Sequence, residues 1–300
     1  MMRRVVARQN APPRGIGRSM RSKSRRRRAA NVAAFITIVA LAAVVLLPLW
    51  WIVRSSLMTS MDFFKKPPPF FPTDWLFSNY LLKPTTFDFF RLLGNSLAIV
   101  LPCVVLGTLT AIPCAYAFAR LRFRGKKLIF SLCVGSMLLP TVVTLIPLYI
   151  FWANFLGLAD TYWPLILPYL CGGGAFNIFL LRQFMRTIPK ELDEAAAIDG
   201  AGYLRTLTTI IVPSIKPAII VVALLIFMTT WNDLLQQSIY INSTSNRTMI
   251  LGLTAFMGSF KNDYAGMFAA TCMTFLPGVL VYLFGQRYFV EGIVMTGMKN

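Results

Sequence analysis

The stretch "ELDEAAAIDGAG", Glu191 to Gly202, decides how the rest of the chain is read. It gathers Glu191, Asp193, Glu194 and Asp199 from a chain that has only 11 acids. Pro189 suits a first helical position, the acids then lie near the positive end of the helix dipole, and Gly200 is a natural terminator. A short helix from about Pro189 to Asp199 is therefore expected. At helical spacing Leu192, Ala195 and Ala196 share one face, while Glu191, Glu194 and Ile198 share another. Such a helix has two uses. It can pack its alanines on its own bundle with the acids solvated, or it can let a partner approach closely over the alanines while Glu194 meets a basic residue. A second short helix is expected over "GYLRTLTTIIVP", Gly202 to Pro213, with Gly200 and Gly202 permitting a sharp turn between the two.

The surroundings of this stretch are apolar. Of 300 residues, 56% are hydrophobic and 14% charged, against roughly 25% charged in ordinary soluble domains. The mean hydropathy is +0.63. Uncharged runs recur at Val32 to Val53, Leu92 to Ala119, Leu128 to Ala159, Thr161 to Leu181 and Tyr264 to Gln286. Each is near or above the ~20 residues a helix needs to cross a bilayer. A further run, Thr206 to Asn232, is interrupted only by Lys216, whose long stem can carry its charge to the interface. The expected fold is an all-α membrane protein with six spans, at about 32–53, 92–119, 128–153, 163–185, 206–232 and 264–286. The charged loop, 186–213, falls between spans four and five. With the N-terminus inside, the inner segments hold 23 of the 30 Lys and Arg, so both termini are expected on the cytoplasmic side.

Residues 1–30 are strongly basic and contain no acid. They read as a disordered tail held to anionic headgroups, which also fixes the topology, rather than as a nucleic-acid binder. The first apolar run is too long for a cleaved signal sequence and is taken as the first span of a single membrane domain, 31–300. Prolines stand within the runs at 48, 102, 113, 140, 147, 164, 168 and 277, so kinked helices are expected. Gly172, Gly173 and Gly174 lie in the fourth run and read either as close helix packing or as a break lining a pathway.

Several chemistries are excluded. The chain has no histidine, which removes imidazole-based triads and HExxH zinc sites. Its 5 cysteines lie in apolar runs without CxxC spacing and read as small buried hydrophobes. No nucleophile–base spacing stands out, so a membrane enzyme is disfavoured. GxxxxGK[ST] is absent: the one Gly-Lys pair, Gly125 and Lys126, has Arg120 where the first Gly belongs and Lys127 where Ser or Thr belongs. The spans carry no mid-membrane ionisable residue apart from the interface-near Lys216, which argues against a self-sufficient channel or secondary carrier.

At the charged loop the chain resembles the permeases of ATP-binding cassette importers. Their signature is E-A-A, three residues, G, nine residues, then I-x-L-P. It is matched here by Glu194, Ala195, Ala196, Gly200, Ile210 and Pro213, with Val212 in place of Leu. The similarity to the carbohydrate-uptake branch continues in "NSLAIV" at Asn95, "AYAFARLRFRGKK" at Ala115, "TLIPLYI" at Thr144, "LPYL" at Leu167, "TWNDLL" at Thr230 and "QRYFVEGI" at Gln286. It covers roughly Asn31 onward and is closest in type to the G-type permease subunit of maltose systems.

The resemblance implies an importer subunit without catalytic, metal or cofactor residues of its own, ATP being consumed by a partner. Its implied partners are a second homologous permease forming a heterodimer, two copies of a cytoplasmic ATP-binding subunit, an extracytoplasmic solute-binding protein and a sugar, within membrane lipid. The E-A-A loop would dock on the ATP-binding subunit through Glu194, Ala195, Ala196 and Gly200. The outer loop Leu235 to Asp263 would reach toward the binding protein, and the tail "VEGIVMTGMKN" would touch the ATPase. Trp231 and Asn232 supply the ring face and amide that a sugar site needs, or else simply mark the interface. Solutes of near relatives include sugar alcohols and glycerol phosphates. The spans lack the extra bases a phosphate would favour, and a neutral sugar is expected.

Overall fold

The computed structural model describes residues 16–81, 88–259 and 263–297. It divides into two compact units, Met1–Arg54 and Ser55–Asn300. The described part of the first is carried by helix α1, Ile16–Ser56, which runs on past the unit's end. α1 therefore reaches back into the basic stretch expected as a disordered tail, where the Arg, Lys and Ala content favours a helix. Its apolar section, Ala30–Ser56, is long and apolar enough to cross a membrane. Arg54 stacks 4.2 Å over the Trp51 ring near its end.

The second unit contains α2, Phe89–Ala119; α3, Lys126–Gly135; α4, Thr141–Tyr149; α5, Trp163–Ile166; and α6, Ala175–Thr187. There follow α7, Glu191–Ile198; α8, Tyr203–Thr206; α9, Lys216–Trp231; α10, Leu234–Tyr240; α11, Met249–Ser259; and α12, Tyr264–Gly297. No strand occurs among the described residues. By length and composition four helical segments can cross a membrane, or up to six if each of two bent pairs counts as one span.

Two of the expected spans, 128–153 and 206–232, are bent pairs, broken rather than merely kinked. Lys126–Leu138 meets Thr141–Phe155 at 98°. Leu139 is extended (ψ 120°) and Pro140 caps α4 with ψ 130°, as the clash of a proline ring with the preceding residue dictates. Tyr203–Ser214 meets Lys216–Trp231 at 82°. The turn falls at Ile215 (φ −109°, ψ 17°), just ahead of Pro217 at the start of α9. Pro217 has no N–H to continue a ladder from Pro213, so the helix restarts. Lys216 is exposed at this bend, which keeps its charge off the middle of a continuous span. By contrast Pro48, Pro102, Pro113 and Pro277 lie inside helices that run on.

The core is built around α2, which packs on α6 and α9, while α9 also packs on α12. Ile99, Cys103, Ala111 and Ala115 of α2 meet Ile178, Leu181 and Met185 of α6 and Ala218, Val222 and Ile226 of α9. Only Cys103 fits the reading of the cysteines as fully buried. Cys171 is exposed and the other three are half-buried. The segment expected as a polar outer loop holds α10 and α11. The latter is apolar and buries Met249 and Leu251, but it is too short to span.

Candidate functional site

α7 begins where α6 cannot continue. Ile188 is extended (ψ 132°) ahead of Pro189, and Lys190 caps the new helix. Its first turn carries Glu191, Asp193 and Glu194, favourably placed at the positive end of the dipole. Its last turn closes with Ala201 N donating to Ala196 O (2.9 Å) and Gly200 N donating to Ala197 O (3.1 Å). Gly200 has φ +75°, the left-handed conformation this closure requires.

Only one side of α7 faces its own protein. Ala196 is buried, and Asp193 turns inward to an ion pair in which Arg120 Nε lies 3.0 Å from Asp193 Oδ2. Arg120 caps the C-terminal end of α2 and also donates from Nη2 to Ile188 O at 2.8 Å. A neighbouring tie, Arg182 Nε to Phe118 O at 3.0 Å, joins α6 to the same end of α2. Glu191, Glu194, Ala195 and Ile198 are exposed, Ile198 at 87%. The expected apolar face therefore splits. Leu192 and Ala195 are exposed, whereas Ala196 is spent on the chain's own bundle.

Beyond Gly200 and Gly202, Tyr203 and Leu204 are 74% and 75% exposed. A short turn beyond Ile198, they extend the apolar exposure of the loop past the residues expected from the sequence. Two adjacent large apolar residues opening a helix in a polar loop were the available signal. Ile210 is half-buried in a π-helical stretch, Leu207–Ile211, and Pro213 is exposed at the turn before α9.

The second feature of interest is the glycine break ahead of α6. Gly172, Gly173 and Gly174 all have positive φ, at 87°, 61° and 109°. The reading of these glycines as close packing holds, and they also interrupt the helix. The chain breaks here, and it packs closely: a Cβ on Gly173 would lie 3.0 Å from Ile226 Cδ1 and 3.2 Å from Gly107 Cα. Freed backbone groups are satisfied locally, Gly172 N donating to Thr110 Oγ1 (3.0 Å) and Gly173 O accepting from Asn177 Nδ2 (2.6 Å).

Two cavities share Tyr169 and Gly173 as walls. One, of about 230 Å³, adds Thr230, Asp233, Gln236 and Gln237. The other, of about 350 Å³, adds Phe176, Asn177 and Thr229. Between them the Tyr169 hydroxyl bonds the Thr230 hydroxyl at 2.9 Å. Gln237 Nε2 donates to Thr230 O (2.9 Å), and Thr248 Oγ1 donates to Gln237 Oε1. Asp233 caps α10 by accepting from Gln236 N (3.0 Å).

Trp231 and Asn232 are placed differently from each other. Trp231 is buried, stacked on Phe227 with ring centroids 5.5 Å apart, and its Nε1 donates to Thr274 O (3.2 Å). Neither of the ring's assets, its face or its N–H, is left to a solute in this conformation. Asn232 is exposed, with its amide donating to Met228 O (2.8 Å).

Residues 103–294 match the profile of the binding-protein-dependent transport system inner membrane component, a region holding the loop helix, the glycine break and all of the cavity walls but Ile99. The chain belongs to that family. The maltodextrin transport system permease protein MdxG of Bacillus subtilis (strain 168) is 35% identical to this permease over 210 residues, 69% of this chain and 74% of that one. The osmoprotective compounds uptake permease protein GgtD of Synechocystis is 37% identical over 69% of each chain. The diacetylchitobiose uptake system permease protein NgcG of Streptomyces coelicolor is 32% identical over 75% of each. Among solved structures, a chain of a bacterial ABC transporter involved in the import of the acidic polysaccharide alginate has the same fold. Its TM-score is 0.75 at 23% identity, covering 87% of this permease and 97% of that chain.

Proposed function

We propose that this permease is the membrane subunit of an ATP-driven importer for a neutral sugar or short oligosaccharide, received from an extracytoplasmic binding protein. In this reading each bent pair is one span, giving six, with both termini cytoplasmic and α7 lying at the inner surface between spans four and five. A second, homologous permease completes the pathway, and two copies of a cytoplasmic ATP-binding subunit drive it. The uptake of maltodextrin, diacetylchitobiose and osmoprotective compounds named for its relatives supports the solute class. So does the larger family's dependence on binding proteins. The residues lining the two cavities about Tyr169 include one carboxylate, Asp233, and no Lys or Arg, which suits a neutral solute better than a phosphorylated one.

The observation that carries the coupling role is the two-sided build of α7. Asp193 holds it to the end of α2 and Ala196 is buried, while Glu194, Ala195 and Ile198 are presented outward. A helix so fixed moves with the spans it joins, and a subunit docked on its outer face can shift them as a rigid body. Two measurements test this. Tagged permease extracted from native membranes in mild detergent is expected to retain a second permease and a soluble ATPase. Glu194→Lys is expected to release the ATPase and abolish uptake without altering the amount of permease in the membrane. Full uptake by Glu194→Lys would end the coupling assignment.

A further inference from the structure

The segment between α1 and α2 lies outside the region that matches the family profile, and it has an unusual surface. Met61, Phe64, Phe70, Phe71, Trp75 and Phe77 are exposed by 76%, 65%, 55%, 58%, 49% and 63%. A connecting loop facing water has no reason to present so many large apolar side chains together. We propose that residues 57–81 form a preorganised aromatic wedge whose partner is the phospholipid surface of the outer leaflet, seated at the boundary of headgroups and acyl chains.

Three observations support this. The first is rigidity. Leu57 and Met58 are buried, and Asp62, 1% exposed, pairs with Lys65 at 2.6 Å. Asp62 Oδ1 also accepts from Thr73 Oγ1 (3.2 Å), which joins the two arms of the segment. Pro67, Pro68 and Pro69 stiffen its tip, and Trp75 stacks on Phe77 with centroids 6.5 Å apart. Phe70 and Phe71 likewise meet edge-on at 5.1 Å, so the rings brace one another in pairs and yet remain exposed.

The second is depth. Leu76 N donates to Leu57 O (2.9 Å), and Asn79 Nδ2 donates to Ser56 O (2.9 Å), so the segment returns to the residue that ends the first candidate span. On its other side Phe63 stacks on Phe268 at 5.6 Å and Phe64 meets Tyr264 edge-on at 5.9 Å. Tyr264 opens the last candidate span. Both tethers therefore fix the wedge at the level where spans leave the hydrocarbon, the level that Trp and Tyr favour in bilayers.

The third is chemistry. Lys65 and Lys66 stand beside the rings, and Lys65 remains half exposed in spite of its ion pair. Ammonium groups at headgroup depth with rings just below them are the arrangement by which amphipathic segments lie in an interface. A soluble binding protein offers no reason for the patch to be fixed at that depth.

The inference rests on the membrane-spanning reading, with the outer leaflet following from a cytoplasmic N-terminus, and not on the importer function, so uptake and lipid contact fail separately. The whole transporter is placed in nanodiscs of phosphatidylcholine and phosphatidylglycerol, with or without bromine at a shallow acyl position. The emission of Trp75 is obtained by subtracting Trp75→Phe from the unaltered protein, which holds 6 Trp. That difference is expected to be blue-shifted, to lose roughly half or more of its intensity in brominated lipid and to resist acrylamide. Phe71→Trp, which adds an indole at the tip, is expected to be quenched the same way and serves if Trp75→Phe misfolds. Quenching by acrylamide instead would show a water-facing loop, and quenching by neither would show a protein covering the patch. Either overturns the proposal.

Discussion

Arg120 and Asp193 form the one ion pair among the described residues that joins the end of α2 to the loop helix, at 3.0 Å and with side chains 6% and 23% exposed. Removing one member leaves the other charge poorly solvated, at a cost of about 3 kcal/mol, the low end for a buried pair because Asp193 is part-exposed. Arg120→Ala is therefore expected to free α7 from α2. If the pair transmits the motion of the ATPase, uptake per permease in the membrane falls at least about tenfold while the ATPase still co-purifies and still hydrolyses ATP. The exchanged pair Arg120→Asp with Asp193→Arg is expected to recover part of it. A loss of uptake that merely follows a loss of protein from the membrane would reduce Arg120 to a stabilising role.

Gly200 and Gly173 both have positive φ, yet their alanine variants are expected to differ. A Cβ on Gly200 meets nothing within 4 Å, so Gly200→Ala should cost only the left-handed backbone, about 1–2 kcal/mol. A Cβ on Gly173 meets Ile226 Cδ1 at 3.0 Å, Asn177 Nδ2 at 3.1 Å and Gly107 Cα at 3.2 Å, as well as the backbone penalty at φ +61°. Overpacking and strain together should reach about 2–5 kcal/mol. Thermal unfolding of the detergent-solubilised transporter checks the order, and equal losses would contradict the close approach of α2, the break and α9.

The loop helix was legible because its signals are local. Four acids, a proline before them and a glycine after them set its limits within a residue or two of Glu191–Ile198. Which face turns inward was not legible, since that depends on Arg120, brought there by the path of α2. The bend at Ile215 was hidden too, and Pro140 was only one of eight prolines at which a kink was expected, with nothing to mark it as a break. Pro102 and Pro113 sit inside an unbroken α2, and nothing local in the sequence separates a proline that ends a helix from one whose neighbours satisfy the freed carbonyl. Trp231 read as a sugar contact or an interface ring because it stands beside Asn232 and Asp233, whereas its N–H is taken by Thr274 of α12, far off in sequence.

The hydroxyl pair of Tyr169 and Thr230 stands between two cavities and gives another prediction. Tyr169→Phe and Thr230→Val each delete one hydrogen bond, worth about 1 kcal/mol, or roughly fivefold in the ratio of joined to parted states. If the pair holds the pathway shut, both variants should raise ATP-independent leak of solute through proteoliposomes by about that factor. Combining them should add little, because either change alone breaks the bond. Leak unchanged in both variants would leave the pair as packing only.

Asp160 ties two loops together and supplies a pH dependence with a definite sign. Its Oδ1 accepts from Ser243 N (2.9 Å) and Asn242 N (2.8 Å), while Asn246 Nδ2 donates to Asp160 O (3.0 Å). The backbone amides of Ser243 first, and then of Asn242, hold its carboxyl below the usual carboxylate range. A depressed carboxylate contributes stability that is present above its unfolded pKa and is lost as pH falls through its folded value. The loop 241–246 should thus stay ordered from neutral pH down through the ordinary carboxylate range and loosen only in stronger acid. Asp160→Ala should loosen it at neutral pH. The amides of Asn242 and Ser243 are expected to exchange with deuterium about tenfold faster than in the unaltered protein, from loss of hydrogen bonds to a charged acceptor. Asp160→Asn, which keeps a carbonyl acceptor but not the charge, should fall between the two and remove the acid transition. Protection of these amides that is indifferent to both substitutions would show that the loop is held by its other contacts, Tyr162 Oη to Asn246 O among them.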